Sequence, residues 1–96
     1  MKIKADKEKV LTKLFGSIAR ARILVFLYAH DGQSFYQREI MYETGLSLQP
    51  TQRELSNLLE LGIVKKNETR NRVYYRIDSE SPFFKPLREI CGFVIE

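Results

Sequence analysis

Cysteine and histidine each occur only once in this 96-residue chain. Cys91 alone closes no internal disulfide, and with His30 it supplies too few ligands for a tetrahedral zinc site. A disulfide scaffold and a zinc finger are excluded. Long apolar runs are missing too. The longest, Ile23 to Ala29, falls far short of the about 20 residues that cross a bilayer, and no small-residue cleavage site follows it. The expectation is a cytoplasmic protein that does not enter membranes. There is no Gly-rich phosphate loop, no nucleophile elbow and no metal-ligand motif, and no partner set places His30 beside a nucleophile. We therefore expect neither an enzyme nor a cofactor or metal. Repeats, low-complexity tracts and Pro/Gly/Ser linkers are also absent, so residues 1–96 read as one packed domain.

What is present is enough to fold. Hydrophobic residues make up 44% of the chain and charged residues 29%, which is not the composition of a disordered segment. The net charge of +4 favours a polyanionic partner only mildly. Its distribution is more informative. Residues 1–22 carry seven Lys/Arg against Asp6 and Glu8, residues 33–76 seven basic against five acidic, and residues 77–96 two basic against four acidic. The acidic end is the part least suited to face phosphate.

Along the chain, Val10, Leu11, Leu14 and Phe15 recur at helical spacing up to Gly16. Ser17 then caps a second helix over about 18–30, apolar on nearly every side, as the centre of a small bundle must be. Asp31-Gly32 ends it. After a brief extended segment at Ser34-Phe35-Tyr36, Arg38 to Thr44 reads as a two-turn helix stopped by Gly45. Ser47 caps the next helix, with Pro50 in its first turn and Leu55, Leu58, Leu59 and Leu61 as its inward stripe. Ile63-Val64 and Val73 to Ile77 flank Asn67 to Arg72 as a hairpin with a polar, basic tip. A last helix starts at Ser81-Pro82. Phe83, Leu87, Ile90 and Val94 form one of its stripes, and Phe84, Cys91 and Ile95 the next. So wide an apolar band points to a homodimer.

The predicted class is mainly α with a small β-hairpin, in the order α-α-α-α-β-β-α, which is a winged helix-turn-helix. In such a fold the first helix of the turn braces the second, whose outer face enters a major groove of double-stranded DNA. On the predicted recognition helix, about 48–61, the inward positions include Leu46, Thr51 and Leu55, and the outward ones are Gln49, Gln52, Arg53, Ser56 and Asn57. Gln and Asn pair bidentately with adenine and Arg with guanine. Thr51 is also counted among the candidate DNA-binding residues. The wing, residues 65–72, offers Lys65, Arg70, Asn71 and Arg72 to flanking phosphates or the minor groove. Gln37 and Arg38 start the bracing helix, where backbone N–H groups also point outward. Arg20 and Arg22 read as a surface pair or a local backbone brace, and Tyr74 and Tyr75 as strand packing.

Arg38-Glu39-Ile40, Gly45-Leu46-Ser47, Thr51-Gln52-Arg53-Glu54-Leu55, Leu58 to Val64 and Arg70 to Arg76, with Leu14 to Ser17 and Arg20 to Leu24 before them, resemble the ArsR-like winged helix-turn-helix regulators of bacteria and archaea. The resemblance covers about residues 14–78. It implies a homodimeric, cytoplasmic, DNA-binding repressor or regulator, joined through its first and last helices. That adds Leu11 and Leu14 to Phe83, Phe84, Leu87, Ile90, Cys91 and Val94 as dimer-contact candidates. Two departures stand out. Met41 and Tyr42 occupy the bracing helix, where metal-sensing members carry a Cys-x-Cys pair, so no metal sensing is implied. Pro50 replaces a frequent Ser or Thr and removes a hydroxyl from the helix start. The alternative function is a winged-helix module that binds a protein or RNA without duplex specificity.

Overall fold

The computed structural model describes residues 5–95. Five helices and one antiparallel hairpin follow in the order α1 (Ala5–Phe15), α2 (Ile18–Ala29), α3 (Gln37–Thr44), α4 (Leu48–Glu60), β1 (Val64–Thr69), β2 (Arg72–Ile77) and α5 (Phe84–Gly92). The radius of gyration, 12.5 Å, is that of a chain of this length wrapped around one core. Among the described residues, no helix is long and apolar enough to cross a membrane.

Helix α2 organises the rest. Gly16 ends α1 in the left-handed region, at φ 73°, and the Ser17 hydroxyl accepts from the Arg20 amide at 3.0 Å to start α2. Ile23 to Tyr28 are all buried, because α1, α3, α4, α5 and β2 pack around this helix. Each buried Leu, Ile or Phe contributes about 1.5–3 kcal/mol of transfer free energy.

The last helix begins later than the sequence suggests. The Ser81 hydroxyl accepts from the Phe83 amide, and Phe84 opens the helix, with Pro86 at its third position where no backbone donor is needed. The wide apolar band of this region divides. Phe84, Cys91 and Val94 are buried in the chain's own core, as is Leu11 of α1, so these four expected dimer residues have no surface to offer a second copy. Leu87 and Ile90 are half-buried against that core, and Leu14 and Phe83 are exposed. The bundle covers the band itself, and the Tyr28 hydroxyl adds a hydrogen bond to the Phe84 carbonyl at 3.2 Å.

The hairpin also differs from expectation. Pairing runs from Val64↔Ile77 to Thr69↔Arg72, so the polar stretch expected as a loop is mostly strand, and only Arg70 and Asn71 form the turn. Arg70 takes φ 49°, a conformation that usually goes to glycine in two-residue turns. The extended segment after α2 joins this sheet. Phe35 and Tyr75 exchange backbone hydrogen bonds of 2.9 and 2.8 Å, which anchors the hairpin base to the start of α3.

Burial pushes the Cys91 thiol up to about 12 and raises the Tyr28 phenol above its ordinary range. Both groups keep protons in the folded state that the unfolded chain releases. Stability is therefore undiminished below the ordinary thiol value of 9.0 and falls as pH rises from there toward about 12. We expect iodoacetamide to leave Cys91 unlabelled in the native chain near about pH 8 and to label it fully in denaturant. The denaturation midpoint should decline through the alkaline window, less steeply in Cys91→Ala. Rapid native labelling would contradict this packing.

Candidate nucleic-acid interface

Helices α3 and α4 are joined by Gly45, Leu46 and Ser47. Gly45 adopts φ 71° and its amide donates to the Met41 carbonyl at 2.9 Å, a left-handed helix stop that a side chain would strain. The cap of α4 is unusual. Ser47 has no side-chain capping bond. Pro50 fills the third helical position, so the N–H that a capping serine most often engages does not exist. Thr51 instead donates from its backbone N–H and its hydroxyl to the Ser47 carbonyl, at 3.3 and 2.8 Å. The Ser47 hydroxyl and the first backbone donors of α4 are thus not consumed by the cap.

On α4 the two sides are cleanly separated. Thr51, Glu54, Leu55 and Leu58 are buried; Gln49, Gln52, Arg53, Ser56 and Glu60 are exposed at the spacing of one helical face. Of the residues expected to face outward, Gln49, Gln52, Arg53 and Ser56 do so. Two candidates are displaced. Thr51, at 0% exposure, is closed off as a contact to any partner. Asn57 is half-buried on the flank, with its amide 3.3 Å from Glu54 Oε2. Leu61, expected inward, is exposed, because α4 ends at Glu60 and Gly62 turns the chain at φ 75°.

Glu54 fixes the rotation of this helix. Its carboxylate is 4% exposed and is met by Arg20 of α2, with Nε to Oε1 at 2.7 Å and Nη2 to Oε2 at 3.5 Å. Arg20 is thus no surface pair but a clasp between helices. Arg22 does similar work on the other side: it donates to Glu8 at 3.0 Å and reaches the Thr44 carbonyl, at the end of α3, at 3.4 Å. Sequence reading missed Glu54. Its signal was an acid at i+3 from Thr51 and i−4 from Leu58, within the apolar arc, where a carboxylate requires a cation.

The hairpin carries the second polar surface. Cross-strand partners share a face, so Lys65, Asn67, Thr69, Arg72, Tyr74 and Arg76 lie together. No acid occupies that face, and Lys65 stands directly opposite Arg76, a like-charge pairing that costs stability when nothing anionic is near. Arg76 was not among the expected contacts. Arg70 and Asn71 are exposed at the turn.

A tyrosine pair ties this face to α3. The rings of Tyr36 and Tyr74 stack at 4.6 Å between centroids, and their hydroxyls are 2.8 Å apart. Arg72 Nη1 donates to the Tyr36 hydroxyl at 3.1 Å, and the Arg38 guanidinium sits 5.5 Å from the Tyr36 ring. The Tyr36 amide donates to Glu39 Oε1 at 2.8 Å, holding the first turn of α3. The hydrogen bond between the two hydroxyls, and then the Arg72 guanidinium, hold the Tyr74 phenol below its ordinary value, while the same bond raises Tyr36. Arg72 stays charged; the neighbouring Tyr74 and Tyr36 hydroxyls raise it further. Tyr74 therefore does more than pack the strand. Gln37 is half-buried and Arg38 exposed at the same corner.

Among the described residues, no group of three or more His, Cys, Asp or Glu side chains gathers where it could hold a metal ion. Compared with known proteins, the chain matches no protein-family model, no curated protein and no solved structure.

The tyrosine pair gives a spectroscopic prediction. In an alkaline titration followed by ring NMR, Tyr74 should ionise below the ordinary tyrosine value and Tyr36 above it. Tyr36→Phe should move Tyr74 back toward the ordinary value, and Arg72→Ala should do so in part. A single common titration of the two rings would contradict the hydrogen-bonded order.

Proposed function

We propose that this chain is a winged helix-turn-helix regulator of the ArsR-like kind that binds double-stranded DNA in the cytoplasm, with α4 in the major groove and the hairpin as the wing. The observation that carries the reading is the division of α4. Gln49, Gln52, Arg53 and Ser56 stand free on a helix whose opposite side is locked to the core. These are side chains that pair with base edges, with Arg53 suited to guanine and the glutamines to adenine. The open helix start, with its unused Ser47 hydroxyl, suits a backbone phosphate. Glu60 at the other end of the stripe repels phosphate and favours contact through the first turns.

The acid-free hairpin face supports the same reading. Lys65, Arg72 and Arg76 are neutralised by a polyanion and by nothing else on that face. Arg38 and Arg72 meet at the Tyr36 corner as backbone contacts, which set register without reading sequence.

A homodimer completes the proposal, because two-fold half-sites match two-fold proteins. The surface available for it is not the one expected. Leu14, at 63% exposure, and Val10 stand four residues apart on one face of α1, Ile18 is exposed at the start of α2, and Phe83 and Phe93 are exposed beside α5. Leu14 and Phe83 remain from the expected set; Val10, Ile18 and Phe93 join them.

The experiment is selection of genomic fragments at low salt, followed by affinity measurement on the enriched duplex. Arg53→Ala should cost about 1–3 kcal/mol and relax preference at one base pair, whereas Arg72→Ala should weaken all duplexes alike and flatten the salt dependence by about one unit of slope. Leu14→Glu should shift sedimentation to the monomer and weaken binding to a two-half-site duplex. Fragments no more enriched than random DNA would overturn the reading in favour of a protein- or RNA-binding module.

A further inference from the structure

We propose that the groove between the end of α2 and the outer face of α3 binds an organic cation with a flat apolar body, an arylalkyl amine in chemical class. The groove has a volume of about 520 Å³, within the size range of sites that hold small molecules. Its floor is aromatic and rigid. The Phe26 and Phe35 rings lie 4.7 Å apart between centroids, and His30 lies 5.0 Å from Phe26 and 5.7 Å from Phe35. Phe35 lies in the segment between α2 and α3, and its backbone is clamped there to Tyr75 of β2. At the lip, Tyr42 is 85% exposed, an aromatic ring that the chain's own fold leaves uncovered.

The charge at the lip selects the sign of the ligand. Glu39 and Glu43 both line the groove and stand four residues apart on α3, an arrangement of like charges that weakens a helix. Glu39 Oε1 is held by the Tyr36 amide, which leaves its second oxygen for a partner. Among the described residues, no hydrogen bond or ion pair engages the Glu43 carboxylate. The one cation of the lining, Arg38, leans toward the Tyr36 ring. An ammonium between the two carboxylates would relieve their repulsion, and aromatic faces attract the same cation. In a chain of net charge +4, this acidic lip over an aromatic floor is a local reversal of sign.

Arg38 belongs to two walls. It lines this groove, and it also lines the basic recess formed with Tyr36, Asn71 and Arg72. A bound cation therefore repels Arg38 toward that recess and changes the charge offered at the hairpin corner. The site itself is independent of DNA binding; its effect on DNA rests on the proposed function, and linkage makes that effect reciprocal.

The test uses tryptamine, an indole with an ammonium, and indole-3-acetate, a similar body of opposite charge. Each is titrated into the isotope-labelled chain without DNA and followed by backbone NMR. Tryptamine should give saturable shifts centred on His30, Phe35, Tyr42 and Glu43, with indole-3-acetate at least about tenfold weaker. Glu43→Gln should weaken tryptamine about tenfold, the effect of removing a charged hydrogen-bond partner. Tyr42→Ala, at an exposed position that leaves the core intact, should weaken it as well. No saturable shift up to about 10 mM tryptamine, equal binding of the two probes, or indifference to both substitutions would overturn the site. The DNA readout is separate. Saturating tryptamine should change duplex affinity, and Arg38→Ala should remove that change. A chain that binds tryptamine but no duplex keeps the site and loses the DNA reading, and the converse result rejects the site alone.

Discussion

The ion pair between Arg20 and Glu54 is the constraint from which the rest of the structure follows. A carboxylate taken out of water is tolerated only with a cation at hydrogen-bonding distance, and Arg20 supplies two donors from the most deeply packed helix of the molecule. Replacing Arg20 leaves the Glu54 carboxylate buried without its cation and costs up to about 3–5 kcal/mol, whereas Arg20, 30% exposed, keeps access to water when Glu54 is lost. Leu55 and Leu58 supply apolar area, but an apolar arc alone lets a helix rock about its axis. The Glu54 carboxylate holds it at one angle, and the exposure of Gln49, Gln52, Arg53 and Ser56 is a consequence of that angle. Arg22 holds the end of α3 through the Thr44 carbonyl, so both helices flanking the Gly45 turn are referred to α2 by arginines two residues apart.

The hairpin is positioned by a different kind of contact. Its base is pinned by the Phe35–Tyr75 backbone exchange, and its outer half by the stacked hydroxyl-bonded pair Tyr36 and Tyr74. Both anchors lie in the short segment between α2 and α3. That segment is the physical junction of the bundle, α3 and the sheet, and the groove against α3 has Phe35 in its floor for the same reason. Ligand occupancy, hairpin geometry and the start of α3 are therefore coupled through a few adjacent residues. In the proposed regulator, this is where a small molecule would act on the DNA-facing surface.

Much of the element order was legible in the sequence, because it rests on local signals. Gly16, Gly45 and Gly62 stop helices, Pro50 marks a first turn, and the all-apolar run of α2 has only one place to go in a small bundle. The errors came from long-range effects. The polar composition of Asn67 to Arg72 reads as a tip, yet strand pairing extends through all of it but Arg70 and Asn71. Cys91 and Val94 look like part of an unpaired band until α5 packs on α2 and both are buried in the core. Thr51, placed both inward and among the DNA contacts by the sequence, is settled locally, because its hydroxyl is spent on the Ser47 carbonyl. The Arg20–Glu54 clasp joins residues 34 apart in sequence, so local spacing marks Glu54 as an acid inside the apolar arc but does not point to Arg20 as its partner. Val10, Leu11, Leu14 and Phe15 share helical spacing, and Leu11 and Leu14 are alike as expected dimer contacts; only packing distinguishes the dry Leu11 from the wet Val10 and Leu14.

The central claim is that the free polar side of α4, held outward by its clasp to α2, is the surface that meets a duplex. The direct measurement is an NMR titration of the labelled chain with a short duplex at low salt, read residue by residue. The account predicts shifts concentrated at Gln49, Gln52, Arg53 and Ser56, at Ser47 and Leu48, and on the Lys65, Arg72 and Arg76 face of the hairpin, with α5 unmoved. Shifts confined to α1 and α5, or none on α4 while other residues respond, would contradict it.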